Sequence, residues 1–231
     1  DGKQVMRQDA HADWVFCSTF SLKGSHLITV SRDRAMKLTI IESGQFVDNV
    51  TSITPGALKG GLIAVQRRPG VDQVLAGGSD GRPRLYKVFR TRKRIIGDDF
   101  NHIRSYKKMP GRIFDLQFNK TGDLFVAGSS SATGGAARIY KVGTFDTPKI
   151  NNKGGLGVVR QQIVERSKQP MLVHELAGIE SPVYCVAFRP DGQQVAVGGF
   201  DGVVRLFDSK SGKLVKKFVP VTVTPAVAVK K

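Results

Sequence analysis

Three aspartates recur at one place in this chain: Asp33, Asp80 and Asp201, thirteen residues after Phe20, Arg67 and Phe188 respectively. Carboxylates converging on a common axis could perform acid–base chemistry or hold a cation. Their shared offset favours a local task instead, because Asp in a tight turn accepts hydrogen bonds from backbone two residues on. The four histidines, His11, His26, His102 and His174, are spread along the chain. No HxxxH, CxxC or carboxylate cluster offers metal-ligand spacing. No GxSxG elbow or P-loop is present, and Gly154-Gly155-Leu156-Gly157 lacks the Lys-Ser/Thr of a phosphate loop. Asn49-Val50-Thr51 fits a glycosylation acceptor, a common pattern. The residue types present predict no catalytic group, no metal and no cofactor.

What positions the aspartates is a repeat. The clearest copy, VYCVAFRPDGQQVAVGGFDGVVRLFD at 183–208, reads as an apolar strand, a Pro-Asp-Gly turn, a second strand, an Asp-Gly turn and a third strand. Phe207 follows Asp201 by six residues, as Thr39 follows Asp33 and Tyr86 follows Asp80. A third copy holds Phe118 and Tyr140, with SSSATGG in place of the short Asp turn. Asp80-Gly81 and Asp201-Gly202 are hairpin signals, and the strands carry apolar residues on both parities, as when sheets pack face to face. No segment keeps a helical period for three turns. Such a unit cannot bury both faces alone, so its repetition predicts stacked sheets around shared cores.

The four segments resemble WD-repeat β-propeller blades over about nine-tenths of the chain. The resemblance implies four antiparallel strands per blade, with the outermost strand of one leading to the innermost of the next. It also implies a hydrogen-bonded set of His, Ser or Thr, Asp and Trp. His11, Ser31 and Asp33 match in the first copy, with Thr39 where Trp is expected. Asp80 and Asp201 match in the second and fourth, followed by Tyr86-Lys87 and Phe207-Asp208; the third copy keeps only Tyr140-Lys141. His11, Ser31, Asp33, Asp80 and Asp201 are therefore expected to be structural. AGGSDGRPRLY and FRPDGQQVAVGGFDGVVRLFD most resemble bacterial WD-repeat domains, including those attached to cytochrome-c-like modules in planctomycete-type proteins. No haem-attachment motif is present.

Outer strands are expected at 45–53, 103–108, 169–176 and 213–221, and GKQVMR at 2–7 echoes GKLVKK at 212–217 as an orphan outer strand. The expectation is an all-β domain at 1–221, with blades at 10–53, 58–108, 110–176 and 179–221 and an extension at 222–231. Single-chain rings of the family usually have seven blades. Four blades plus one strand therefore read as a fragment of a larger ring, completed by the same longer chain or by a second one. Cys17 and Cys185 occupy equivalent repeat positions, too far apart for a disulfide, and are expected to be small core residues. No run of eighteen apolar residues predicts a membrane span, and the compartment is left open.

The net charge is +17 with a pI near 10.2. Between Arg82 and Arg112 eleven basic residues face only Asp98 and Asp99, a net +9 over thirty-one residues. This reads either as solubilising strand edges or as a docking surface for something acidic. Two insertions, 89–101 and 143–168, lie between third and outer strands and would emerge on one face. They carry Arg90, Arg92, Lys93, Arg94, Lys149, Lys153, Arg160, Arg166 and Lys168 as candidate partner-binding residues. Aromatics interleave poorly with these cations, which disfavours specific nucleic-acid binding without removing it. The leading function is a non-catalytic protein-interaction scaffold within a larger bacterial protein. A propeller-fold enzyme and a nucleic-acid-associated scaffold are the alternatives.

Overall fold

The computed structural model describes residues 2–91, 93, 99–143 and 171–220. These form four four-stranded antiparallel sheets, each in simple sequential order. Blade 1 holds β1 (Val15–Phe20), β2 (His26–Ser31), β3 (Met36–Ile40) and β4 (Phe46–Asn49). Blade 2 holds β5 (Leu62–Arg67), β6 (Gln73–Gly78), β7 (Arg84–Lys87) and β8 (His102–Ser105). Blade 3 holds β9 (Arg112–Phe118), β10 (Leu124–Ser131), β11 (Gly134–Lys141) and β12 (Leu172–Leu176). Blade 4 holds β13 (Val183–Phe188), β14 (Gln194–Gly199), β15 (Val204–Asp208) and β16 (Leu214–Phe218). The described residues contain no helix, so none of them forms one able to cross a membrane.

The inner strands β1, β5, β9 and β13 pack in succession, which makes the sheets adjacent wedges of an arc that does not close into a ring. Three apolar cores fill the three junctions. The first joins Ile28, Val30 and Leu38 of blade 1 to Leu62, Val74 and Tyr86 of blade 2. The second joins Leu75 and Leu85 to Ile113, Phe125 and Tyr140, and the third joins Val126 and Ile139 to Val186, Val195 and Phe207. The central strands of blades 2 and 3 are buried on both parities because each of these two sheets serves a core on either face. Thr39, Tyr86, Tyr140 and Phe207 are all fully buried at the third-strand position of their blades.

Each inner strand carries an irregularity at the same place, so that Phe16, Ile63, Phe114 and Tyr184 fall out of register with the second strand. A bulge re-aims the side chain it displaces. Phe114 and Tyr184 of neighbouring blades then meet edge to face at 5.3 Å. In blade 3, SSSATGG does not form a loop. It extends both strands of the hairpin, pairing Ser129 with Ala136 and Ser131 with Gly134.

The orphan strand expected at 2–7 does not form: no strand precedes Val15. The described chain has no sheet for it to pair with, and an unpaired strand leaves its ladder groups unmet. Residues 2–10 instead run beside blade 1, where the Gln8 amide donates to the Thr39 hydroxyl and the Lys37 ammonium to the Ala10 carbonyl. The extension at 222–231 lies outside the described residues.

Candidate functional site

The repeated aspartates are consumed by their own turns. Asp33 Oδ2 accepts from His11 Nδ1 at 2.8 Å, and Oδ1 accepts from the Ala35 amide at 2.9 Å. A carboxylate only accepts, so Nδ1 carries a proton, and Nε2 hydrogen-bonds with the Thr29 hydroxyl at 2.8 Å. Burial alone would raise the Asp33 carboxyl, but the His11 and backbone hydrogen bonds outweigh it and hold it below its ordinary value. Ser31 stands beside this pair. Its hydroxyl donates to the Asp13 carbonyl and accepts from the Asp33 amide, both at 3.1 Å. Thr29, not Ser31, completes the His11 set.

In blades 2 and 4 an arginine four residues on replaces the histidine. Arg84 reaches Asp80 and Arg205 reaches Asp201, each at 2.6 Å. For Asp80, burial again pushes upward, and the Arg84 hydrogen bond with the Arg82 amide brings the net shift down. For Asp201 the Arg205 hydrogen bond dominates and lowers it. These three carboxylates are ionised and paired, which leaves none poised for proton transfer.

These arginines belong to a set that sequence reasoning missed. Lys37, Arg84, Arg138 and Arg205 each stand two residues before the buried Thr39, Tyr86, Tyr140 or Phe207. Each ties down the chain near it: Lys37 binds the Ala10 carbonyl, Arg138 the Lys108 carbonyl at 2.7 Å, and Arg205 the Gly178 carbonyl at 3.1 Å. Arg138 also holds Glu175 at 2.6 Å, since blade 3 lacks the turn aspartate. The recurring cation-x-aromatic phrase in RLY, RIY and RLF was the available signal. A second missed set latches neighbouring blades. Gln66 accepts from the Phe118 amide and Gln117, at the same repeat position, from the Phe188 amide. Asp115 accepts from the Val186 amide at 2.9 Å.

Internal pairing also removes part of the basic cluster from the surface. Arg84 is paired, Arg104 is buried, and Arg90 binds Asp48 at 3.2 Å while lying 5.5 Å from the Phe100 ring. Lys93 is exposed. Arg92, Arg94, Lys149, Lys153, Arg160, Arg166 and Lys168 lie outside the described residues, as does Gly154-Gly155-Leu156-Gly157. Lys107 and Lys108 are exposed on the connector between blades 2 and 3, and Arg112 is exposed at the start of β9.

His102 opens β8 and packs against Tyr86 at 5.4 Å; burial, then the Arg84 cation, push its imidazole down to about 4. Cys17 packs against the first core, as expected. Cys185 does not: it is exposed, because no sheet among the described residues covers the far face of blade 4. The Asn49 acceptor pattern sits in β4, and Thr51 is buried with its hydroxyl accepting the Met36 amide at 3.1 Å. No group of three or more His, Cys, Asp or Glu residues suited to a metal occurs among the described residues.

Four wedge-like sheets, each with a turn aspartate or its substitute buttressing a buried third strand, define blades of the β-propeller type. The family profile of the WD domain, G-beta repeat, matches residues 2–38 and 170–208. The second match begins before β12 and ends with β15, so that unit straddles blades 3 and 4. Relatives of similar sequence are eukaryotic. Eukaryotic translation initiation factor 3 subunit I of Drosophila pseudoobscura pseudoobscura is 23% identical over 229 residues, covering 83% of this chain and 68% of that protein. The subunit I of Drosophila willistoni is 25% identical over 60% of this chain; the match spans only 49%, about half, of that relative. The serine-threonine kinase receptor-associated protein of Mus musculus is 24% identical over 92% of this chain and 75% of its own length.

Proposed function

We propose that this chain is a non-catalytic WD-repeat scaffold that holds an acidic protein partner, as part of a larger protein of bacterial type. The single observation that carries the non-catalytic reading is the fate of Asp33, Asp80 and Asp201. Asp80 and Asp201 are ion-paired with arginines four residues on and Asp33 is hydrogen-bonded by His11, so none of the three is free for acid–base work. Two relatives are named as a subunit and as a receptor-associated protein, which fits a role within assemblies. The bacterial context rests on the AGGSDGRPRLY and FRPDGQQVAVGGFDGVVRLFD phrases alone. The exposed faces of blades 1 and 4 would be covered by further blades of the same longer chain or of a second chain.

The partner surface in this reading is the face bearing the two insertions, with Arg90, Arg92, Lys93, Arg94, Lys149, Lys153, Arg160, Arg166 and Lys168. Capture of an acidic protein by exposed cations weakens as salt screens the contact. The test is capture of partner protein by the immobilised chain across a salt series, with Arg92, Lys93 and Arg94 each changed to Glu. Loss of capture in the triple variant and at high salt supports the reading; unchanged capture removes the insertion face from it. A nucleic-acid scaffold is the second reading, favoured only by the +17 charge.

A further inference from the structure

A cavity of about 390 Å³ opens where blades 2 and 3 meet, lined by Ser79, Lys108, Arg112, Phe114, Ser130 and Ser131 among others. Its volume lies within the range of about 300–1,000 Å³ typical of small-ligand sites. It sits on the rim that carries the Asp turns and the connectors between blades, opposite the rim that carries the insertions. Both walls belong to internal blades, so covering the ends of the arc would leave it unchanged.

The charge inside is unbalanced. Asp80 also lines the cavity, but Arg84 and the Arg82 amide already satisfy its two oxygens. Lys108 and Arg112 are exposed, and neither has a side-chain ion pair or hydrogen bond among the described residues. The connector backbone at 107–109 is held firmly, and Arg112 opens β9 opposite Ser130. The Lys107 carbonyl accepts the Tyr140 hydroxyl at 3.0 Å, the Lys108 carbonyl accepts Arg138, and the Met109 amide donates to the Gly81 carbonyl at 2.7 Å. Gly111 forms the floor, where a Cβ would stand 2.1 Å from the Ser130 carbonyl. With one cation on a pinned connector and the other on a paired strand, little backbone ordering is needed when a ligand arrives. The bulged Phe114 adds an apolar wall.

We propose that this cavity binds an anionic side chain of an extended peptide, with Lys108 and Arg112 pairing with the acid and Phe114 packing against its apolar neighbour. Aspartate, glutamate and phosphoserine share the required chemistry. A nucleic-acid strand fits less well. Strand binding needs a track of cations and open ring faces, whereas only two free cations line this cavity and Tyr184 meets Phe114 edge to face. This site stands independently of the insertion face.

The test is fluorescence anisotropy of the full chain with four labelled probes. These are a dodecapeptide alternating Glu and Leu, its Gln counterpart, the Gln peptide carrying one phosphoserine, and a twelve-nucleotide single-stranded RNA. Lys108→Glu with Arg112→Glu is compared with Lys23→Glu plus Lys120→Glu, an equal charge change on the opposite rim. Lys108→Gln with Arg112→Gln serves as a milder pair, and melting curves verify the fold. Binding of either acidic peptide, weakened about 30-fold by the cavity pair and less than twofold by the control pair, supports the site. The glutamate and phosphoserine arms then distinguish the acid. Equal loss in both pairs, no binding of either acidic peptide, or tighter RNA binding with the same dependence overturns it.

Discussion

Phe20 and Phe188 occupy the same repeat position, yet 56% of Phe20 is exposed and only 8% of Phe188. Phe188 enters the core between blades 3 and 4, whereas no sheet among the described residues packs on the outer face of blade 1 to receive Phe20. The cysteines show the opposite end. Cys17 packs toward blade 2, with Sγ 3.6 Å from the Val65 carbonyl, while its equivalent Cys185 lies exposed on the far side of blade 4. Exposed large apolar residues accordingly gather on the terminal sheets: Trp14, Phe16 and Phe46 on or beside blade 1, Tyr184, Phe200 and Phe218 on or beside blade 4. Identical repeat chemistry is core or surface according to neighbours. Contiguous exposed apolar patches mark interaction sites, so the arc ends are surfaces suited to covering.

The sharpest break of this comparison is a pair of truncations. Phe188→Ala is expected to cost about 3 kcal/mol or more by opening a cavity in a packed core. Phe20→Ala should cost under about 0.5 kcal/mol, as for an exposed site. Urea unfolding of both variants measures the difference, and equal losses would show that the blade 1 face is covered in solution.

Acid reaches the internal region through His102. Its imidazole titrates near 4 in the fold and near 6.5 when unfolded. Above pH 6.5 the group contributes no penalty. Between 6.5 and 4 the unfolded chain binds the proton that the fold refuses, so stability falls as pH drops, by up to about 3 kcal/mol. His102→Gln should flatten that part of a stability-against-pH curve, and an unchanged slope would assign it to other groups.

The smallest effect concerns the latches between blades. Gln117→Ala leaves the Phe188 amide without its acceptor and should cost about 1–2 kcal/mol. Blade 4 has Ala187 at that position, and Ala187→Gln should be neutral in the chain as described, since no further amide faces it. Chemical denaturation of the two variants checks the asymmetry. A stabilising Ala187→Gln would mean that another sheet lies against blade 4.

The repeat frame was readable because strand, turn and strand are short-range events. Offsets of thirteen and six residues mark the same hairpin corners in blades 1, 2 and 4, and all four sheets appear where the copies lie. Each turn aspartate accepts the amide two residues on, an equally short-range contact. Their side-chain partners were less readable. Thr29 replaced Ser31 beside His11 because ring direction, not spacing, chose the hydroxyl. Arg84 counted toward a basic surface until its guanidinium met Asp80, and Gln66 and Gln117 looked like ordinary polar strand residues. The cavity between blades 2 and 3 had no sequence signature, since its walls come from three segments.

Local order along the backbone was therefore written in residue types: turn glycines, aspartates and alternating apolar runs set where each hairpin bends. Which faces are dry, which cations are spent internally and which remain for a ligand emerged only when sheets were stacked. Burial and ion pairing depend on distances between residues far apart in the chain, and one strand's composition does not contain its neighbour's position.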